Sequence, residues 1–362
     1  MTNPRKRFAL LAIALLATTG TLAACSPSGS GSDNSDGGGG SGDTIKIGLL
    51  LPESKTARYE KFDRPLFEDK LTSLGDYEIV YANADQDASK QQQQAESALT
   101  EGVEVLVLDP VDGTAAVSIA EAAAAQDVPV IAYDRFIKSD KVSYYISFDN
   151  EQVGVLQGNS LVDKLEADGT TTGLIMINGS PTDANAADFK KGALSVIEPS
   201  GIPILASYDT PDWSPDKAQE WAAGQVTQFG TEISGVYAAN DGTAGGAIAA
   251  MKAAGTNPWP PVTGQDAELA AIQRIVAGDQ YMTVYKAIKL EAEKAAEVAD
   301  QLAQGDTPDP DTTYQDTPST LLTPVVVTVD NIQETVIDDG FWTVDEICTA
   351  DYAEACATAG LQ

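Results

Sequence analysis

The chain of 362 residues contains no histidine. The side chain that changes charge near neutral pH is missing, and with it the commonest general base and the commonest metal ligand. Ordinary hydrolytic and zinc chemistry lose their usual means, and neither a metal nor a cofactor is expected. Positive charge is also scarce: 22 Lys and Arg stand against 54 Asp and Glu, a formal net charge of −32. Nothing in that balance attracts a phosphate backbone or an anionic lipid surface, so no nucleic-acid partner is expected. The apolar stretch near the N-terminus, "FALLAIALLATTG", is shorter than the roughly 20 residues a membrane-spanning helix needs. Cysteine is limited to three residues. What is present is length, enough for one large or two modest domains with ample core.

Arg5, Lys6 and Arg7 precede the apolar stretch, and "LAAC" (Leu22 to Cys25) follows it with small residues ending in cysteine. That is the anatomy of an export signal. "LAAC" resembles a lipobox, which implies removal of residues 1–24 and lipidation of Cys25; an ordinary secreted chain with an incidental cysteine is the competing reading. Residues 25–43, rich in Gly, Ser and Asp, read as a flexible tether. The expectation is a soluble body outside the cell, held to the outer face of the membrane by its N-terminal lipid alone. Cys348 and Cys356 lie close together in a chain bound for an oxidising compartment, so a disulfide clasping the tail 346–362 is predicted, with free thiols as the alternative.

From Ile45 onward, short apolar runs alternate with longer helical stretches. "IKIGLLL", "EIVYAN", "VEVLVLD", "VPVIAY", "VSYYISF", "TGLIMIN", "IPILASY", "ISGVYAA", "PPVTG", "YMTVYK" and "TPVVVTV" read as strands. Strands rich in Val and Ile, each followed by a helix, argue for parallel sheets covered on both faces, and there are too many for one ordinary sheet. Residues Asp112 to Asp134 and Asp241 to Asp266 share one order of parts: Asp-Gly-Thr-Ala at a strand end, an Ala-rich helix, a Pro-preceded strand and a closing Asp. A repeat of this kind implies two similar α/β lobes. Ligands of open α/β sheets bind outside the carboxyl ends of the strands, where Asp134 and Asp266 sit.

Arg135 stands beside Asp134, and the other strand ends carry Arg58, Asp183, Trp213 and Lys286 among their polar and aromatic residues. Turn chemistry accounts for many Asp, Asn and Gly residues in loops, but it favours neither Arg58, Trp213 nor Lys286. Mixed acids and bases suit a neutral polyol. Carboxylates accept from its hydroxyls, Arg and Lys donate to them, and its C–H face lies against a ring such as Trp213 or Tyr59. An anionic ligand would not want Asp134, Asp183 and Asp266, nor a cation the Arg residues. Gln91 to Gln94 read as a solvated helix face, Asp149 and Asn150 as a hinge and helix cap, Trp221 as packing, and Asp183 also as a helix N-cap.

In this order along the chain, "KIGLLLPESKTARYEKFDRP", "VIAYDR", "YYISFDNEQVG", "GSPTDANA", "PDW", "AANDGTAGGAIAA", "GQDAELAAIQRIVAG", "MTVYK" and "STLLTPVVVTVDNIQETVIDDGF" resemble the xylose-binding proteins of bacterial ABC importers, members of the type I periplasmic-binding-protein superfamily. The resemblance implies an α/β fold of two doubly wound parallel-sheet lobes joined by three hinge crossings. These would lie near Phe148 to Glu151, near Gly264 to Ala267 and near Leu321 to Pro324. The first lobe would comprise 44–149 and 267–321, the second 150–266 and 322–345.

The sugar contacts it implies are Arg58, Tyr59, Asp134, Arg135, Asp183, Asn185, Trp213, Asn240, Asp266 and Lys286. Arg58, Arg135 and Lys286 would donate, Asp134, Asp183 and Asp266 accept, Asn185 and Asn240 do both, and Trp213 stack. The expected partners are a monosaccharide, D-xylose first, and the subunits of an ABC permease, with the receptor a monomer. Three features depart from the family: the lipid tether, the Cys-containing tail, and Tyr59 where Trp is common. The alternatives are another aldose (arabinose, ribose, glucose or galactose), a sensory receptor reading the same closed surface, and a surface glycosidase. The last is disfavoured because Arg and Lys beside the acids would hold them ionised.

Overall fold

Val-, Ile- and Leu-rich runs open the computed structural model, which describes residues 44–361. In chain order they and their helices are β1 (Ile45–Leu51), α1 (Arg64–Leu74), β2 (Tyr77–Asn83), α2 (Ala88–Thr100), β3 (Val105–Leu108), α3 (Val117–Ala124), β4 (Val130–Tyr133) and β5 (Val142–Phe148). The signal 1–24, Cys25 and the tether 25–43 lie outside the described residues.

The chain continues as α4 (Asn150–Asp168), β6 (Leu174–Asn178), α5 (Ala184–Ser200), β7 (Ile204–Asp209), α6 (Pro215–Phe229), β8 (Gly235–Ala238) and α7 (Asp241–Ala254). Then come α8 (Leu269–Val276), β9 (Thr283–Tyr285), α9 (Ile288–Ala303), β10 (Thr312–Tyr314), β11 (Thr317–Leu322), β12 (Val325–Val327), α10 (Val344–Ile347) and α11 (Ala353–Ala359).

The first lobe is a seven-stranded sheet in the order β10-β11-β5-β4-β3-β1-β2, parallel except for β10. Its central strands are apolar on both sides because both faces are covered. Ile47, Leu49 and Val107 pack under α9 and α1, while Leu50, Leu106 and Leu108 pack under α2 and α3. Gln91 departs from its sequence reading. It sits on the buried face of α2 with Ala95, Ala98 and Leu99, its amide donating to the Asp109 carbonyl (2.7 Å) and accepting from the Val111 N–H (2.8 Å). The loop after β3 is thereby fixed.

The second lobe begins at α4, capped by the Asp149 side chain. Its sheet runs β7-β6-β8, all parallel. "PPVTG" does not form a full strand. Val262 bridges β8, and residues 262–266 then bond β9 and the residue leading into it, through Tyr281 N to Val262 O (2.9 Å), Val284 N to Gly264 O (3.0 Å) and Asp266 N to Val284 O (2.9 Å). β9 in turn pairs with β12. Met282 and Val284 join the second lobe's core with Leu174, Met176 and Tyr237.

These bonds correct the expected boundaries. Residues 267–285 stay with the second lobe, and the middle crossing falls at 285–288 rather than near Gly264 to Ala267. The other crossings, at 148–150 and 322–325, run side by side, with Asp149 N donating to Leu322 O at 2.9 Å. The hairpin β10–β11 was not foreseen.

α4 and α5 pack closely because Gly154 and Gly192 meet there. A methyl on either would stand 2.0 Å from the partner helix's backbone, at Phe189 O or Glu151 O. Beyond β12, Cys348 and Cys356 are joined by a disulfide. The tail packs Ile347, Cys356 and Leu361 against Ile272, Ile275 and Val276 of α8. Trp221 stacks on Tyr208, with ring centroids 5.3 Å apart.

Candidate functional site

Asp134 closes β4 and Asp266 follows the 262–266 segment, and the two ends match in backbone. Each N–H donates to the neighbouring strand, Asp134 to Ile146 O (2.8 Å) and Asp266 to Val284 O (2.9 Å). Each also turns into positive φ, at 55° and 91°. Trp213, at φ 51°, is a third non-glycine residue of the site in this region. Such backbone is costly outside glycine and gathers where a side chain must be aimed.

The side chains so aimed converge on one small cavity between the lobes. All ten residues singled out in the sequence line it: Arg58, Tyr59, Asp134, Arg135, Asp183, Asn185, Trp213, Asn240, Asp266 and Lys286. Thr56, Phe189 and Gln265 join them. None of the ten is more than 6% exposed, so the lobes shut the site from solvent.

The first lobe supplies a charged frame. The short helix Tyr59–Asp63 begins beside Arg58, whose Nε and Nη2 donate to the two oxygens of Asp63 at 2.9 and 2.6 Å. Nη2 also donates to Glu291 (2.5 Å) and Nη1 to Asp134 (3.2 Å). The Tyr59 hydroxyl donates to the second oxygen of Asp134 (2.8 Å) and accepts from Arg135 Nη2 (3.2 Å). A phenol thus both donates and accepts in the network, where an indole could only donate. Burial works against the charge of Asp134, but Arg58, Lys286, Arg135 and the Tyr59 bond outweigh it and hold this carboxyl well below the usual range.

The second lobe answers with Asp183, N-cap of α5 as the sequence suggested and also a partner in the cavity. It accepts from the Asn185 N–H (2.9 Å) and from Trp213 Nε1 (3.0 Å), and faces Arg135 Nε at 3.2 Å. Burial raises its pKa against the pull of Arg135. Asn185 reaches across to donate to the Asp134 carbonyl (2.8 Å). Asn240 caps α7 with a capping box and lines the cavity from that end. Lys286, on the middle crossing, stands 2.9 Å from Asp266 and 3.8 Å from Asp134. The 2.9 Å approach is an ion pair too bent to count as a hydrogen bond. Burial disfavours the ammonium, yet these two acids hold its pKa above the usual lysine value.

Aromatic faces complete the wall. The Trp213 indole lies against Gly179, where an added methyl would stand 2.1 Å from the ring, and Phe189 meets Trp213 edge-on at 6.2 Å. Phe189 was missed in the sequence, although it follows Asn185 by one helical turn and so shares its face. Asp63 and Glu291 were missed as well, since only the fold brings them to Arg58.

Two α/β lobes joined by three crossings and shut on a polar cavity are built to take hold of a small solute, and a solute-binding protein is the class this architecture defines. Residues 47–307 match the periplasmic binding protein domain, and the chain belongs to that family. It is 39% identical over 311 residues to the D-xylose-binding periplasmic protein of Escherichia coli (strain K12), covering 84% of this chain and 92% of that one. It is 32% identical over 330 residues to the multiple sugar-binding periplasmic receptor ChvE of Rhizobium radiobacter, covering 84% and 93%. The fold matches an ABC transporter solute binding protein of Clostridium phytofermentans with bound β-D-glucose. There the TM-score is 0.77 at 30% identity, over 83% of this chain and 99% of that structure.

Proposed function

We propose that the protein is an extracytoplasmic receptor that binds a monosaccharide, D-xylose first, and delivers it to an ABC permease without chemical change. The observation that carries this reading is the cavity itself: three cations and three carboxylates balance one another beside the faces of Trp213 and Phe189. A neutral polyol satisfies such a set, accepting from Arg58, Arg135 and Lys286 and donating to the acids. Likeness to the xylose-binding relative supports xylose. The glucose held by the Clostridium relative favours D-glucose as a second reading.

Closure about the three crossings desolvates the ligand, strengthens each charged hydrogen bond and creates the surface that a permease reads. Lipidation at Cys25 would keep the receptor beside that permease, acting as a monomer. Calorimetric titration of the mature domain against xylose, arabinose, ribose, glucose and galactose tests the ligand, with xylose expected to bind most tightly. Scattering tests closure: the radius of gyration should fall on adding the sugar, and an unchanged value refutes the hinge mechanism.

A further inference from the structure

α9 turns an apolar face into the first lobe, with Ile288, Ala292, Ala295 and Ala299 buried. One acid lies in that face. Glu291 has no exposure to solvent and does not line the cavity. Its Oε2 accepts from Arg58, and its Oε1 has no hydrogen-bond partner among the described residues. Burying a carboxylate is costly, and an apolar side chain would pack α9 at less expense. The expense is matched by what it does to Arg58. Asp63 takes Nε and one N–H of Nη2, Glu291 takes the other N–H of Nη2, and Asp134 takes one of Nη1. A single N–H, on Nη1, is left for the cavity that Arg58 lines.

We infer that Glu291 is a positioning residue for the ligand: it touches no part of the cavity, and by holding the far side of the Arg58 guanidinium it leaves one fixed N–H for a sugar oxygen. The inference rests on the sugar-binding reading above. The groups that face Glu291 are Arg58 and Asp63 of the first-lobe helix, Tyr133 and Asp134 at the end of β4, and Lys286 on the crossing. Burial pushes the Glu291 carboxyl up to about 8 against the pull of Arg58. Its hold on Arg58 therefore strengthens as pH rises through that value, because a carboxylate accepts a stronger bond than a neutral acid.

Titration with D-xylose of the wild type, Glu291→Gln and Glu291→Ala, each near pH 6.5, 7.5 and 9, tests this. Wild-type affinity is expected to tighten several-fold from the lowest pH to the highest. Glu291→Gln keeps an acceptor oxygen but cannot ionise, and should stay near the wild type's low-pH affinity throughout. Glu291→Ala should bind roughly tenfold or more weakly at every pH. Asp241, pushed up to about 7, and Glu268, pushed up to about 8, also titrate in this range. They are present in all three proteins, so the comparison removes their share. If Glu291→Ala binds like the wild type and Glu291→Gln follows the wild-type pH profile, the acid only packs α9 and the inference fails. Where Glu291→Ala does not fold, the Glu291→Gln profile decides alone, and a slope equal to the wild type's overturns it. A wild type that binds no aldose overturns the sugar-binding reading and this inference together; wild-type binding with both variants unmoved overturns this inference only.

Discussion

Replacing Asp134 by Asn tests the charged frame with the least disturbance to the fold. Asp134 sits at φ 55°, a conformation Asn adopts readily, whereas Ala there would add roughly 1–2 kcal/mol of backbone strain. The wild-type carboxylate takes two donors, Arg58 Nη1 at 3.2 Å and the Tyr59 hydroxyl at 2.8 Å, with Lys286 at 3.8 Å. An amide offers one oxygen and one NH2. If the oxygen stays with Arg58, the NH2 opposes the Tyr59 donor; if the amide turns over, the NH2 opposes Arg58. Either way one charged acceptor is gone from a position only 3% exposed. A hydrogen bond to a charged group contributes about 1.5–3 kcal/mol, which is about 10- to 150-fold in Kd. Calorimetry with D-xylose at neutral pH, alongside thermal melts, reads the effect. A folded variant that binds as tightly as the wild type would remove Asp134 from the site and refute the reasoning.

Gly179→Ala should act from outside the cavity. The added methyl would overlap the Trp213 ring at 2.1 Å, pushing the indole off Asp183; affinity is expected to drop about tenfold or more and stability by about 1–3 kcal/mol, read by titration and tryptophan fluorescence. Stability should also depend on pH. Burial pushes Asp241 up to about 7, and Glu268 and Glu291 up to about 8. The folded state holds these protons after the unfolded chain has lost them, so the stability they contribute is full below the ordinary carboxyl range and is lost as pH rises through about 7–8. The denaturant midpoint of the ligand-free protein should therefore fall between about pH 5 and pH 8.5, with a smaller fall in Glu291→Gln; Asp134, held low, contributes stability lost only in acid, below about pH 4. Removing both Cys348 and Cys356 as Ser should lower stability by about 2 kcal/mol. It should leave sugar affinity unchanged, since neither residue lines the cavity.

The strand ends were legible because parallel strands announce themselves through Val and Ile, and the carboxyl ends of such strands are where an open α/β sheet binds; the full set of ten came only with the resemblance to the xylose-binding proteins. Arg58, Trp213 and Lys286 stood out there because turns do not call for them. Thr56, Phe189 and Gln265 carry no charge and fit a helix or loop without comment, so composition could not single them out. Glu291 lies 233 residues from Arg58 in sequence, and that meeting is decided by α9 crossing back onto the first sheet. The middle crossing was misplaced for a related reason. Residues 262–266 look like the end of a lobe until their hydrogen bonds with β9 are counted, and such pairing has no local signature. In "TTYQDTPSTLL" Pro318 and scattered threonines obscure a hairpin that the β5 edge organises. Gln91 was hidden by its neighbours, since a run of four glutamines reads as solvated and only the turn of α2 separates the buried one from the rest.

The balance of charge inside the cavity has a consequence for the medium in which the protein works. Arg58, Arg135 and Lys286 are matched by Asp134, Asp183 and Asp266 at distances far shorter than the screening length of physiological salt, and mobile ions do not reach groups so deeply buried. A neutral ligand brings no charge to be screened and is neither drawn in nor repelled by the formal charge of −32. Recognition that leans on buried, mutually paired ions is in this way insulated from the ionic strength around it, so its affinity should hold from dilute water to brine.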